Sequence, residues 1–516
     1  MVIIGGLGSV MGSLMGAAFM VLMPEGVQAL ADMLAGGWID RTLRLGTSIS
    51  FLREMAIGAA IILFLVFEPD GLAYRWKQIK AYWKLFPFRI NGGTTMKKII
   101  LAALLALALP AAAQPRIPIG HPMDNSGPTS DVGVPYGQGV ADTLAWANAN
   151  NRGRPMTVLG FDYGCQAPRA VSQYQAWSRD RVVAIQGWGT VDTEALVRFV
   201  TRDRIPYISG SYSAALTDPA GRSRPGVDAA PFNFFYGPSY SDALRAMLFW
   251  ARDDWRSRGQ PGAPRYVHMG ANHPYPNSPK EAGETLAREL GFEVLPAIQF
   301  ALTPGDYTGQ RLTLRSGGAH SAYLGNTAGS NISVLRACQT AGVQVQFLGN
   351  VWGMDENAMK AAGVAANGVV FPVRTSAVWG QQAPGMAQVL AISRISDTAG
   401  TAYRPVHYLA GVCSAMLMVE AMETAGANGG AVTGERIRDG FYARQNWVPR
   451  GFDGVCAPSN FTSTDHRGTL SVPLYRARVT GPTAAGTVAE LVAAGTIRLE
   501  PVATITLDRR ADWLGW

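Results

Sequence analysis

VVAIQGWGTVDTEALVRFVTRDRIPYISGSYSAALTDP, residues 182–219, reads as strand, loop, helix, strand and loop. Val182–Gln186 is a short apolar run ended by glycine. Asp192–Arg202 sets Leu196, Phe199 and Val200 at helical spacing, and Ile205–Ser209 is a second apolar run entered through Pro206. Two strands joined by a helix form a parallel βαβ unit with a right-handed crossover. The loops Gly187–Thr190 and Gly210–Ala214 then leave the carboxyl ends of neighbouring strands, the edge at which open α/β sheets bind small ligands. Thr190 or Asp192 is the expected N-cap of the helix, and free N–H groups at its start suit a carboxylate or another anion. One loop rich in serine and threonine would only cap and turn. Two, one carrying Trp188 and the other Tyr212, point to a pocket.

Around this unit lie 516 residues, too many for one core and enough for two to four domains. With 16% charged and 48% hydrophobic residues the chain is not of disordered composition. The net charge of +8 is spread along the chain rather than gathered on a basic face, so nucleic acid is not indicated. Cys165, Cys338, Cys413 and Cys456 show no CxxC spacing, which argues against zinc. There is no G-x-S-x-G, no H-E-x-x-H and no phosphate-binding loop, and the six histidines are scattered. No metal, cofactor or catalytic group is expected. Cys165 with a distant histidine could imitate a thiol nucleophile, but nothing in the sequence orients it.

From Gln114 onward strands and helices alternate, which predicts parallel sheets. A first series has strands at Arg116–His121, Thr157–Phe161 and the two above, with helices at Tyr136–Asn150 and Pro168–Ser178. Asn233–Gly237 reads as a crossing strand, followed by the long helix Tyr240–Arg258. The second series has strands at Tyr266–Met269, Glu293–Ile298, Ser321–Leu324, Gln344–Leu348 and Gly368–Val373. Its helices are expected at Lys280–Leu290, Tyr307–Ser316, Ile332–Ala341 and Glu356–Ala362. Helices at Pro405–Ala425 and Gly434–Tyr442, a strand at Leu470–Val479 and a short mixed tail complete the chain. Two such series imply two lobes with a cleft between them.

The first 113 residues are of another kind. Val2–Met23 carries no charge and is long enough to span a bilayer, with Gly8, Gly12 and Gly16 spaced for close helix approach. Met55–Phe67 is a second apolar run, followed by basic residues interleaved with Tyr74, Trp76, Tyr82 and Trp83, as at a cytoplasmic membrane boundary. GGLGSVMGSLMGAAF, the pair Pro24–Glu25 and FEPDGLAYRW make residues 1–90 resemble the C-terminal end of a branched-chain amino acid ABC transporter permease. Within 91–113, Met96-Lys97-Lys98, an apolar run and Ala111-x-Ala113 have the order of a secretory signal peptide, with cleavage expected after Ala113. Met96 is therefore the expected start of a separate exported protein, mature from Gln114 and periplasmic. Inner-membrane attachment is expected if the N-terminal segment is retained.

The soluble region resembles the leucine/isoleucine/valine-binding proteins, the type I periplasmic solute-binding proteins of ABC transporters. The stretches that carry this are SGPTSDVGVPYGQGVADTLAWANANNRG, IPYISGSYSAALTDP, GANHPYPNSPKEAGETLARELGFEV and VLRACQTAGVQVQFLGN. The resemblance implies an α/β fold of two parallel-sheet lobes joined by three crossovers and closing by hinge motion. Lobe 1 would comprise 114–237 and 376–450, and lobe 2 would comprise 238–375 and 451–516. It implies no chemistry on the ligand, and permease and ATPase subunits as partners. A ligand-sensing receptor on the same fold is the near alternative.

On this resemblance Trp188, Gly189, Thr190, Ser211, Tyr212 and Ser213 hold the ligand carboxylate, Tyr275 lies over the ligand, and Asn326–Gly329, with Asn326 and Thr327, forms a further contact loop. The acid that pairs with an α-ammonium should follow QFLGN, and this chain has Val351 and Trp352 there. Asp355 and Glu356 read as solvated acids at a helix start. An ammonium buried without a carboxylate would cost several kcal/mol, so a carboxylate with an aromatic or apolar body, or an amide-like solute, fits better than a plain α-amino acid. Cys165 stands where the family often has half of a disulfide, with Trp188 at its partner's place. A Cys413–Cys456 bridge is one of the pairings left open.

Overall fold

The computed structural model describes residues 116–223 and 226–510, all within one compact unit, Ala113–Trp516. The permease-like stretch and the signal-like segment lie outside the described residues. Among the described residues no helix is long and apolar enough to cross a membrane.

Two sheets organise the chain. The first holds β1 (Ile117–Met123), β2 (Met156–Asp162), β3 (Ala184–Gln186), β4 (Tyr207–Ser209) and β5 (Asn233–Phe235), in the order β2-β1-β3-β4-β5 and parallel throughout. Its crossovers are α1 (Ser130–Ala149), α2 (Ala167–Arg179) and α3 (Thr190–Asp203). β3, β4 and β5 are buried at every position, as short strands covered on both faces must be. Asn233–Phe235, expected as a crossing strand, is the fifth member of this sheet.

The second sheet begins after α4 (Tyr240–Ser257). It takes β6 (Arg265–Gly270), β7 (Glu293–Val294), β8 (Ile298–Gln299), β9 (Ser321–Leu324), β10 (Gln346–Gly349) and β11 (Val370–Pro372), with α5 (Pro274–Asn277), α6 (Lys280–Glu289), α7 (Thr308–Gly317), α8 (Ala328–Thr340) and α9 (Glu356–Ala362) between them. The run 293–298, expected as one strand, is broken into β7 and β8, with Pro296 between them and both pairing with β6.

After β11 the chain forms α10 (Met386–Ser393), α11 (Val406–Ala425) and α12 (Gly434–Tyr442). α11 is buried on nearly all sides, so it has no polar face and lies in the core. It packs on α1 through two glycines. A Cβ at Gly139 would stand 2.2 Å from the Tyr408 carbonyl oxygen, and one at Gly411 2.2 Å from that of Tyr136. A disulfide between Cys413 and Cys456 ties α11 to a later segment, while Cys165 and Cys338 are free.

The hairpin β12 (Asn460–Thr462) and β13 (Asp465–Gly468) lies against β5, where the His466 ring stacks on Phe234 and its Nδ1 is 2.8 Å from the Asn233 carbonyl. β14 (Ser471–Val479) then joins the second sheet antiparallel to β11. After α13 (Val488–Ala493), β15 (Ile497–Thr506) pairs antiparallel with β14. This corrects two expectations: the second sheet is mixed rather than parallel, and the tail holds a ten-residue edge strand. Tyr475 pairs with Pro501 where the register shifts, a bulge that admits proline on an edge.

Gly139→Val and Gly411→Val should each destabilise the protein by about 1–3 kcal/mol or more, because the helix backbones would have to separate. Ala at the exposed Gly259 loop, whose Cβ position is open but whose φ is +63°, should cost less. Chemical-denaturation midpoints of the three variants check this.

Candidate functional site

The carboxyl ends of the strands of both sheets converge on one small cavity of about 20 Å³. Its walls are Thr129, Cys165, Trp188, Gly189, Thr190 and Gly210 from the first sheet's loops, and Tyr240, His273, Tyr275, Thr327 and Trp352 from the second sheet's side. The aromatic rings nearly fill it in this closed arrangement.

The first wall is held by a relay of hydrogen bonds. The Asp124 carboxylate accepts from Thr129 Oγ1 at 2.6 Å, and Thr129 Oγ1 accepts from the Trp188 indole at 3.0 Å. Trp188 is thus fixed at the end of β3. The following helix, α3, starts at Thr190 with Gly189 at the cap position and no side-chain cap. This corrects the expectation of Thr190 or Asp192 as N-cap. Asp192 is buried with its carboxylate accepting from the Tyr207 hydroxyl, and burial raises it to about 6. The Thr190 and Ser211 hydroxyls are 2.8 Å apart. The α3 start and these hydroxyls offer hydrogen-bond donors to an anion.

The second wall depends on Asn350. Its Nδ2 donates to the carbonyls of Leu324 and Asn326 at 2.9 and 2.7 Å, and its Oδ1 accepts from the Tyr275 hydroxyl and the Trp352 amide, each at 2.7 Å. One side chain thereby sets both aromatics. The Trp352 indole donates to the Tyr240 hydroxyl at 3.2 Å. The Trp352 ring meets Trp188 edge-on at 4.6 Å and Tyr136 edge-on at 5.4 Å, and lies parallel to Tyr212 at 5.6 Å.

Of the residues singled out in the sequence, Trp188, Gly189, Thr190, Tyr275, Thr327 and Trp352 meet at this cavity. Ser211 stands behind Thr190, and Tyr212 is fully buried behind Trp352. Ser213 lies outside, in a recess at the cleft mouth, where its hydroxyl donates to Glu194 at 2.7 Å. Asn326 holds its own loop, accepting from the Ala271 amide and donating to the Ala301 carbonyl, both at 2.8 Å. Val351 is buried and not on the wall.

Sequence reasoning missed Thr129, Tyr136, Tyr240, His273, Asn350 and Arg374. Thr129, Tyr136, His273 and Asn350 stand in the stretches that carried the resemblance, Asn350 as the residue ending QFLGN, whereas Tyr240 and Arg374 carried no signal.

Asp355 and Glu356 are not solvated, which corrects the sequence expectation. Asp355 does cap α9, accepting from the Ala358 amide at 2.7 Å, but both acids are buried. Burial, with the nearby Glu356 charge, raises Asp355 to about 8, and burial raises Glu356 to about 7. Neither acid lies on the cavity wall. Across the cleft, Asp131 of α1 accepts from the Gly329 amide at 2.5 Å, and Ser278 donates to Ser213 at 3.3 Å.

Residues 116–485 match the profile of the family described as "Periplasmic binding protein". The chain belongs to the periplasmic binding protein family. A comparison with curated proteins found no match. Among solved structures it is similar to an ABC transporter substrate-binding protein of Aeropyrum pernix, at 24% identity and a TM-score of 0.63, over 77% of this chain and 98% of that one. A branched-chain amino acid ABC transporter protein of Thermus thermophilus with bound valine is 20% identical, with a TM-score of 0.64 over 78% and 98%. A fatty acid ABC transporter substrate-binding protein of Thermomonospora curvata is 18% identical, with a TM-score of 0.63 over 79% and 96%. At these identities the likeness is one of fold.

The buried acids give a pH signature. Between pH 6.5 and 8 the folded protein holds protons on Asp355 and Glu356 that unfolded carboxyls release near pH 4, so stability falls as pH rises. Below about 6.5 the buried histidines 121, 268, 407 and 466, all lowered by burial, act in the opposite sense. The thermal midpoint should therefore decline from pH 6.5 to 8, and Asp355→Asn should flatten that decline. A midpoint that rises over this range contradicts the assignment.

Proposed function

We propose that the chain is the solute-binding component of a branched-chain-amino-acid-type ABC importer. Two lobes, one built on each sheet, close on a small carboxylate-bearing or amide-like solute with an apolar or aromatic body. The observation that carries this reading is the make-up of the cavity wall. It joins the α3 start and the Thr190 hydroxyl, backed by Ser211, to Trp188, Tyr275 and Trp352, and the residues lining it include no carboxylate to receive an ammonium. Hydroxyls and peptide N–H groups suit a carboxylate or amide, and the rings suit its body.

Trp188, Gly189 and Thr190, with Ser211 supporting, are the proposed anion side. Tyr275, Thr327 and Trp352 are the proposed body side. The contacts Asp131–Gly329 and Ser278–Ser213 would form on closure and break on opening. Permease and ATPase subunits would be the partners. The segment 96–113 would direct export, leaving the mature protein in the periplasm, where the Cys413–Cys456 bridge is permitted. A hydrolase using Cys165 is disfavoured, because burial and the charges of Asp124 and Asp192 push its thiol up to about 12 and leave no thiolate.

A thermal-shift screen of the purified protein against short-chain and aromatic carboxylates, their amides and amino acids tests the reading. A solute at 100 times its Kd should add about 2.7 kcal/mol of stability. Thr190→Ala should weaken binding of the best solute by roughly 1–3 kcal/mol, whereas Ser213→Ala should change it little. No shift with any of these solutes, or unchanged affinity in Thr190→Ala, overturns it.

A further inference from the structure

Behind the cavity wall sits a cation that touches no anion among the described residues. Arg374 follows β11, where the chain leaves the second sheet, and it is 2% exposed. Its guanidinium lies 3.7 Å from the centroid of the Trp352 ring and 5.5 Å from that of Tyr212. Its hydrogen bonds go to neutral groups: the Tyr212 hydroxyl at 3.4 Å and His407 Nδ1 at 2.5 Å. Since guanidinium has only donors, His407 accepts at Nδ1. Burial, together with Arg374, keeps this imidazole uncharged. Among the described residues no carboxylate oxygen comes within 4.0 Å of the Arg374 nitrogens.

The nearby acids do not touch it. Asp355 Oδ2 faces the other side of His407, 3.8 Å from Nε2, and burial raises that carboxyl to about 8 although the Arg374 charge lowers it. Asp192 is engaged by Tyr207. A buried charge left unpaired is costly, and a molecule keeps one where something else compensates it. Trp352 lines the cavity, and Arg374, which does not, rests on that same ring.

We infer that Arg374, acting through Trp352 and Tyr212, is a positioning residue that makes this site select anionic solutes lacking an α-ammonium, such as desamino, 2-oxo or aromatic carboxylates. The inference rests on the solute-binding reading above and names the solute's charge. In a buried site of low dielectric, the guanidinium's field favours an anion and opposes a second cation. A cation already stacked on the indole also weakens that ring as a partner for an ammonium. The carboxylate would meet the α3 start and Thr190, and the aromatic wall would take the rest.

Calorimetric titration with matched sets tests this: leucine, 4-methylpentanoate and 4-methylpentanamide, then phenylalanine, 3-phenylpropanoate and 3-phenylpropanamide. The native protein should bind the desamino acid of at least one set about tenfold or more tighter than both its amino acid and its amide. Arg374→Met should lose at least tenfold for that acid and change the amide by less than about threefold, while Arg374→Lys should keep the preference for the acid. A native protein that binds the amino acid as tightly as the acid overturns the inference and leaves the solute-binding reading standing. This comparison needs no variant, so a poorly folded Arg374→Met cannot shield the inference. Equal losses for acid and amide in a folded Arg374→Met also overturn it, since the residue would then only prop Trp352. Failure of every member of both sets to bind removes the solute-binding reading and the inference together.

Discussion

Trp352 is the side chain on which the two halves of this molecule meet. Its ring touches Trp188 and Tyr136 from the first sheet edge-on, lies parallel to Tyr212, and carries the Arg374 guanidinium. Its amide is bound by Asn350 and its indole nitrogen by Tyr240. Edge-on and offset ring pairs of this kind contribute about 0.5–1.5 kcal/mol each beyond the area they bury. Several of them cross from one sheet to the other, so ring packing sets how the sheets face each other as well as what the cavity can accept.

The rest of the architecture serves that meeting point. Gly139 and Gly411 let α1 lie against α11, which sets Tyr136 beneath the cavity, its hydroxyl on Ser414 at 2.8 Å. Gln186, at the end of β3, donates to the same Ser414 hydroxyl at 2.8 Å. Asn350 ends β10 with a four-contact clasp. Each of these positions is decided by packing or hydrogen bonding inside one sheet, yet all bear on the single wall between the sheets.

Much of this was readable from residues 182–219, because a short buried strand, a helix with one apolar face and a second strand leave few alternatives. The hydroxyl-bearing loops followed from the same reading. Other features were not readable, for physical reasons. Arg374 reads as an ordinary charged residue after a strand, and only the folded chain shows it buried with no acid in contact among the described residues. Asp355 and Glu356 match the pattern of a helix start, and α9 does begin there, but the pattern cannot tell a buried helix start from an exposed one. β15 contains a proline and pairs through a bulge, which hides the alternation of an edge strand. The glycines of α1 and α11 lowered the helical signal while letting the two helix backbones meet.

In the closed arrangement the rings fill the cavity to the point of leaving room for about one water, so a solute can enter only if the lobes part. Small-angle scattering of the protein with and without a saturating solute tests this most directly. The account predicts a larger radius of gyration without solute, falling on addition to the value calculated for the closed structure. A radius that is the same in both states, while calorimetry shows the solute bound, would contradict it.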